Sequence, residues 1–115
     1  MSLAVAFQMD PLDQINPVGD STYMLALEAM RRKHALFHYL PQELSLTQGR
    51  VTARARPFTA RRDTAQPFTA GAEEIIDLAT LDVVLMRQDP PFDMAYITAT
   101  HLLEHVHPET LVVND

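Results

Sequence analysis

Short apolar runs recur along the chain, separated by segments that contain proline, glycine or charged residues. Continuous apolar runs of four to eight residues are typical of strands that are buried in a sheet. The pattern therefore predicts three buried strands, at residues 3–9, 35–40 and 81–86, and a short last strand at residues 111–113.

Two further segments carry apolar residues at helical spacing. In the first, Tyr23, Leu27 and Met30 share one face, residues 20–22 offer N-cap oxygens, and the basic residues 31–34 suit the negative end of a helix dipole. In the second, Asp93 can cap a helix that ends before Pro108. The inward stripe of this second helix is predicted to be Ala95, Ala99, Leu102, Leu103 and Val106.

The segment between the second and third buried strands has a different pattern. Residues 44–56 alternate between apolar and polar on both sides of Gln48-Gly49, which predicts a β-hairpin with one solvated face. The tetrapeptide Pro57-Phe58-Thr59-Ala60 then recurs as Pro67-Phe68-Thr69-Ala70. Because two copies of four residues do not make a repeat architecture, we interpret the echo as a coincidence within an irregular excursion.

The predicted order is strand, helix, strand, hairpin, strand, helix, strand. Strands that alternate with amphipathic helices indicate an α/β domain of three layers, with a mainly parallel sheet to which the hairpin is added. In such sheets, ligands bind beyond the carboxyl ends of the strands. Asp10 and Arg87 each follow a predicted strand, so we expect both to lie at one rim of the sheet.

Composition limits the possible classes of function. A chain of 115 residues without cysteine predicts one domain that lacks disulfides, thiolate nucleophiles and cysteine metal sites. The net charge of −6 argues against nucleic-acid binding, and no apolar run approaches the ~18 residues of a membrane span. The start of the chain lacks the charged region of a secretory signal, so we expect a cytoplasmic protein. Because the chain ends just after a core strand, we expect residues 1–115 to be a fragment of a longer protein.

The stretch VVLMRQDPPFD contains the strongest candidate for chemistry. Arg87 follows a buried strand and precedes the rigid pair Pro90-Pro91. As an exposed ion pair with Asp89 or Asp93, it would contribute ~0–1 kcal/mol to stability. Alternatively, a planar guanidinium that is held at a strand end can give a carboxylate two parallel hydrogen bonds. The strand-end position and the prolines favour the second interpretation.

The other polar groups are weaker candidates for a functional site. Asp10 could bind a metal or an ammonium group, although an Asx-turn is favoured. His101 and His105 are four residues apart, but no further ligand is evident, so a solvated helix face is favoured. Five arginines between residues 50 and 62 are interpreted as a solvated face or an oligomer contact. With three glycines in the chain, neither a GxGxxG fingerprint nor a P-loop can be formed.

Three stretches of the chain together resemble a known family. QMDPLDQINPVGDSTYMLALEAMRR, the hairpin after it, and LDVVLMRQDPPFDMAYITATHLLE are similar, in order and spacing, to the amino-terminal domain of bacterial glutathione synthetase. The resemblance runs from about residue 4 to residue 115. It implies a Rossmann-like, pre-ATP-grasp domain at the start of an ATP-dependent carboxylate–amine ligase, whose later ATP-grasp domains are missing from this chain.

The resemblance also implies partners and site residues. A homo-oligomeric full-length enzyme would use ATP and Mg²⁺, bound outside this domain, to ligate γ-glutamylcysteine and glycine into glutathione through an acyl phosphate. Arg87 matches the substrate-site arginine of the family's MRxDPPFD motif, and the other candidate substrate-binding residues are Asp10, Asp20, Thr22 and Asp89. No catalytic or metal-binding residue is assigned, and the 115-residue chain alone is expected to be inactive. The alternative is a stand-alone flavodoxin-like regulatory or ligand-binding module.

Overall fold

A computed structural model of the protein describes residues 2–9, 11–12, 21–63, 65–87, 103 and 110–114. Two short 3₁₀ turns, Pro41–Glu43 and Leu78–Thr80, lie among its helical and extended elements. In chain order, those elements are β1 (Ala4–Gln8), α1 (Ser21–Arg31), β2 (Ala35–Tyr39), β3 (Leu44–Thr47), β4 (Arg50–Ala60), β5 (Phe68–Ala70), β6 (Glu74–Asp77), β7 (Val83–Met86) and β8 (Leu111–Asn114).

The four strands that the apolar runs predict form the parallel part of the sheet. They lie in the order β2-β1-β7-β8, and Val5 on β1 pairs with Leu36 on β2 and with Val83 on β7. β1 is buried from Val5 onward, as expected for a strand with neighbours on both edges and packed layers on both faces. The predicted α/β class with a mainly parallel, Rossmann-like sheet is confirmed.

Each face of the sheet contributes to its own apolar cluster, because successive residues of a strand point to opposite faces. On one face, Val5 and Phe7 of β1 pack with Ala26 of α1. On the other face, Ala6 packs in a cluster with Val84 and Leu103. Leu103 belongs to the predicted stripe of the second helix and is buried, as expected. Asp93 and the other residues of that stripe lie outside the described residues.

The helix α1 begins at Ser21, within the predicted cap region, and ends at Arg31. Its carboxyl end is closed by two backbone bonds, from Lys33 N to Met30 O (2.9 Å) and from His34 N to Ala29 O (3.0 Å). This pattern is a Schellman motif, in which the residue after the cap takes a left-handed conformation. Lys33 occupies that position with a φ of 64°.

The β3–β4 hairpin forms as predicted, but its second strand is longer than expected. Gln48 and Gly49 both have positive φ, 51° and 78°, as the tight two-residue turn requires. β4 then continues to Ala60 and pairs antiparallel with β2 through residues 56–58. The hairpin is therefore joined to the parallel strands through β4.

The prediction of an irregular excursion after the hairpin is wrong for residues 57–60 and 68–70, which lie in strands. The doubled tetrapeptide lies in two antiparallel strands, β4 and β5, which pair with each other so that Thr59 stands opposite Thr69. Phe58 pairs with Ala70, and Ala60 pairs with Phe68, which makes the arrangement nearly symmetric about the threonine pair. Each copy of the tetrapeptide is thus the strand-pairing partner of the other. After Gly71, β6 continues along the same edge of β4.

Two arginines of β4 form ion pairs within the domain. Arg50 Nη1 lies 3.0 Å from Asp77 Oδ2 of β6, and Arg56 Nη2 lies 3.0 Å from Glu73 Oε1, just before β6. Arg56 Nη1 also lies 3.9 Å from Oε2 of Glu43, which is buried. The side chain of Arg50 is 75% exposed, so its pair contributes ~0–1 kcal/mol, as is typical at a surface. These contacts fit the solvated face that the alternation predicts.

Candidate functional site

The carboxyl ends of three parallel strands lie side by side at one rim of the sheet. Met9 N donates to Tyr39 O (3.2 Å), which joins the end of β1 to the end of β2. Arg87 N donates to Gln8 O (2.8 Å), which joins the end of β7 to the other edge of β1. We call this edge, formed by Gln8, Met9, Tyr39 and Arg87, the carboxyl rim. Arg87 thus lies on the rim where the sequence predicts it.

The side chain of Arg87 reaches from the carboxyl rim to the first turn of α1. Its Nε lies 3.4 Å from Thr22 Oγ1, and its Nη2 donates to Ser21 Oγ. Thr22 is buried, Arg87 is half-buried, and Ser21 is exposed. Two of the predicted site residues, Arg87 and Thr22, are therefore brought together, and Ser21 joins them as a residue that the sequence suggests only as a helix cap.

This geometry places two positive groups close together. The first turn of a helix presents N–H groups that lack intrahelical partners and carries the positive end of the helix dipole. The guanidinium of Arg87 adds a full positive charge beside that turn. Such an arrangement stabilises an anion, and a planar guanidinium suits a carboxylate in particular. The rim is therefore electrostatically suited to a carboxylate ligand.

The carboxyl rim also contains a buried polar pair. The Tyr39 hydroxyl donates to Gln8 Oε1 (2.9 Å), and both side chains are fully buried. Burial raises the pKa of Tyr39 well above its usual value, so the phenol stays protonated and remains a donor. Neither residue is predicted for the site from sequence. The available signal was Gln8 itself, a polar residue at the end of an otherwise apolar run.

The first turn of α1 is held by contacts of Tyr23 with Phe68 of β5 and with Arg61, which follows β4. The Tyr23 hydroxyl donates to Arg61 O (2.5 Å), and its ring meets Phe68 edge-to-face at 5.6 Å. Phe68 in turn contacts Phe58 at 5.9 Å, and Phe58 contacts Phe7 at 5.6 Å. A continuous row of rings therefore runs from β1 to the helix turn that contacts Arg87. The doubled tetrapeptide supplies two of these rings.

Several predicted site features lie outside the described residues. These are Asp10, Asp20 and Asp89, the pair Pro90-Pro91, and the two histidines at positions 101 and 105. Within the part of the chain that the structure describes, no three His, Asp or Glu side chains are grouped as metal ligands. No helix among those same residues is long and apolar enough to span a membrane.

Comparison with known proteins shows what the chain is similar to. Residues 3–115 match the family model described as prokaryotic glutathione synthetase, N-terminal domain. The chain is 52% identical to a glutathione synthetase of Brucella melitensis and 50% identical to one of Mesorhizobium japonicum, in each case over all of this chain and 37% of the relative. A glutathione synthetase of Salmonella typhimurium is 41% identical over 92% of this chain and 34% of the relative. The chain thus spans little more than a third of the length of these relatives.

Proposed function

The chain belongs to the family of prokaryotic glutathione synthetase amino-terminal domains, and on that premise we propose that it forms the peptide-binding part of a ligase that joins γ-glutamylcysteine to glycine. Because the chain spans only 37% of the length of the Brucella and Mesorhizobium relatives, ligation is proposed for a full-length protein. Family membership favours this function over a stand-alone flavodoxin-like module.

The observation that carries the proposal is the position of Arg87. The peptide substrate has two carboxylates, and Arg87 follows β7 at the rim where ligands of such sheets bind, with its guanidinium against the first turn of α1. The planar guanidinium gives one of these carboxylates two parallel hydrogen bonds, and the first turn of α1 adds favourable electrostatics. In this proposal Arg87 binds and orients the peptide and takes no part in bond formation.

The phosphoryl chemistry is proposed to occur outside this chain. In the overall reaction, the γ-phosphoryl group of ATP passes to the cysteinyl carboxylate with release of ADP. The amine of glycine then attacks the acyl phosphate, which releases phosphate and forms the peptide bond. In this proposal ATP and Mg²⁺ are bound outside residues 1–115, as the family resemblance implies and as the lack of a P-loop in a chain with three glycines favours.

The test replaces Arg87 in the full-length protein. In Arg87→Ala, we expect the KM for γ-glutamylcysteine to rise by about 10- to 150-fold, the equivalent of the ~1.5–3 kcal/mol of a hydrogen bond to a charged group. Arg87→Lys keeps the charge but loses the planar geometry, so it is expected to raise this KM by a smaller factor. The KM for ATP should stay unchanged in both variants.

Arg50 offers a matched control, because it is an exposed arginine that is paired with Asp77 at the start of β4. Arg50→Ala is expected to leave both Michaelis constants unchanged. If Arg87→Ala remains folded and its KM for γ-glutamylcysteine equals that of the parent, Arg87 is only a surface residue and the proposed function of the rim is wrong.

A further inference from the structure

We propose that Thr22 and Ser21 are positioning residues, whose hydroxyl groups fix the guanidinium of Arg87 in the orientation that receives the peptide carboxylate. The inference rests on the proposed function of Arg87 and adds a role for the first turn of α1. It assigns Thr22, which the family resemblance suggests as a substrate-binding residue, to an indirect role.

The first step is the geometry of the two contacts. Nε of Arg87 faces Thr22 Oγ1 at 3.4 Å, and Nη2 donates to Ser21 Oγ. Two nitrogens of one planar group thus meet oxygens from two successive residues, which fixes the plane of the guanidinium as well as its position. An arginine side chain has many rotamers, so a guanidinium fixed before binding loses less freedom when the ligand arrives.

The second step is the burial of Thr22. Its exposed fraction is 5%, so little of its surface is left for a ligand. Its hydroxyl faces Arg87 from the first turn of a regular helix rather than from a loop. A group with these properties acts on the substrate through Arg87 and not by direct contact.

The third step is the rigidity of the support. Tyr23 follows Thr22 directly, and its hydroxyl and ring are held by Arg61 O and by Phe68. The turn that carries both hydroxyls is therefore attached to β5 and to the residue that follows β4, as well as to its own helix. Sites that must hold a side chain in one orientation require such support from packed neighbours.

The experiment measures steady-state kinetics of the full-length protein with γ-glutamylcysteine, glycine and ATP. Thr22→Val removes the hydroxyl at nearly constant volume, and we expect it to raise the KM for γ-glutamylcysteine about three- to tenfold, less than for a short hydrogen bond to a charged group because the contact is 3.4 Å long. The kcat and the KM for ATP should not change. Thr22→Ser keeps the hydroxyl and is expected to stay within about twofold of the parent.

A double-mutant cycle separates an indirect role from a direct one. In an Arg87→Ala background, Thr22→Val should change the KM for γ-glutamylcysteine by less than about twofold, because the residue through which Thr22 acts is gone. An undiminished effect of Thr22→Val in that background would overturn the inference. Ser21→Ala, at an exposed position, provides a second variant if Thr22→Val lowers the unfolding temperature.

The outcomes distinguish the two proposals. If Arg87→Ala raises the KM for γ-glutamylcysteine while Thr22→Val and Ser21→Ala both leave it unchanged, the positioning role is wrong and the proposed function stands. If Arg87→Ala itself has no effect, the proposed function fails and the positioning role fails with it. An increase in Thr22→Val that Thr22→Ser rescues, and that disappears in the Arg87→Ala background, supports both.

Discussion

Lys33 is a residue with a Cβ at a position where the backbone must be left-handed. It closes α1 with a φ of 64°, in the left-handed region where a side chain with a Cβ is disfavoured and glycine is not. The basic residues from Arg31 onward predict a helix end from charge alone. They give no sign of the left-handed backbone, because the Schellman bonds depend on how the chain turns into β2.

We expect Lys33→Gly to raise the free energy of unfolding of the 115-residue protein by about 0.5–1 kcal/mol, since the strain at φ 64° is removed. Urea unfolding monitored by circular dichroism provides the measurement. Lys33→Ala is the control, because it removes the charge but keeps the Cβ and should give no comparable gain. Equal stabilities of the glycine and alanine variants would contradict the assigned strain.

Glu28 provides a prediction that depends on pH. Hydrogen bonds from the side chains of Arg31 and then Arg32 lower the pKa of this exposed carboxyl from its ordinary 4.5 to about 2. A lowered pKa means that the carboxylate favours the folded state above pH 4.5 and that this contribution is lost as the pH falls through about 2.

An NMR titration of the Glu28 side-chain carbon in the 115-residue protein should give a midpoint close to 2. In Arg31→Gln the midpoint should move back toward 4.5, because Arg31 is the larger cause of the shift. A midpoint already near 4.5 in the parent protein would show that the two arginines do not hold Glu28 in solution.

At the scale of elements, local pattern predicts those strands and helices that have a clear period or a clear end. The parallel strands, α1 and the Gln48-Gly49 turn are of this kind. The end of β4 and the strand β5 were missed because Pro57 and Pro67 interrupt the pattern, and proline usually marks a strand end. What keeps residues 57–60 extended is pairing with β2 on one edge and β5 on the other, which is not visible in the local sequence.

The two copies of the tetrapeptide are expected to contribute unequally to stability. Phe58 is 4% exposed and meets the rings of Phe7, His38 and Phe68, whereas Phe68 is only partly buried and meets two rings. Phe58→Ala should therefore lower the free energy of unfolding by about 3–5 kcal/mol, and Phe68→Ala by less. Urea unfolding of both variants provides the measurement, and equal losses would contradict the different burial of the two rings.

At the scale of the whole molecule, the fold brings together residues that are far apart in sequence. Thr22 and Arg87 are separated by 65 positions and meet because β1 and β7 are parallel neighbours. Position at the carboxyl ends of strands predicts that Arg87 lies on a ligand-binding rim. The particular contacts with Ser21 and Thr22 depend on where α1 begins relative to β7, and the Gln8–Tyr39 pair depends on the alignment of β1 with β2. These contacts join residues that are far apart in sequence, so the local pattern of residues does not predict them.

The most direct test of the central claim, that Arg87 binds a carboxylate of the peptide substrate, is a crystal structure of the full-length protein with γ-glutamylcysteine. We expect both oxygens of one peptide carboxylate to lie about 2.7–2.9 Å from guanidinium nitrogens of Arg87, as in bidentate pairs. The contacts of Arg87 with Ser21 and Thr22 should persist in the complex. A bound peptide whose carboxylates are both held elsewhere, with Arg87 facing solvent, would contradict the account.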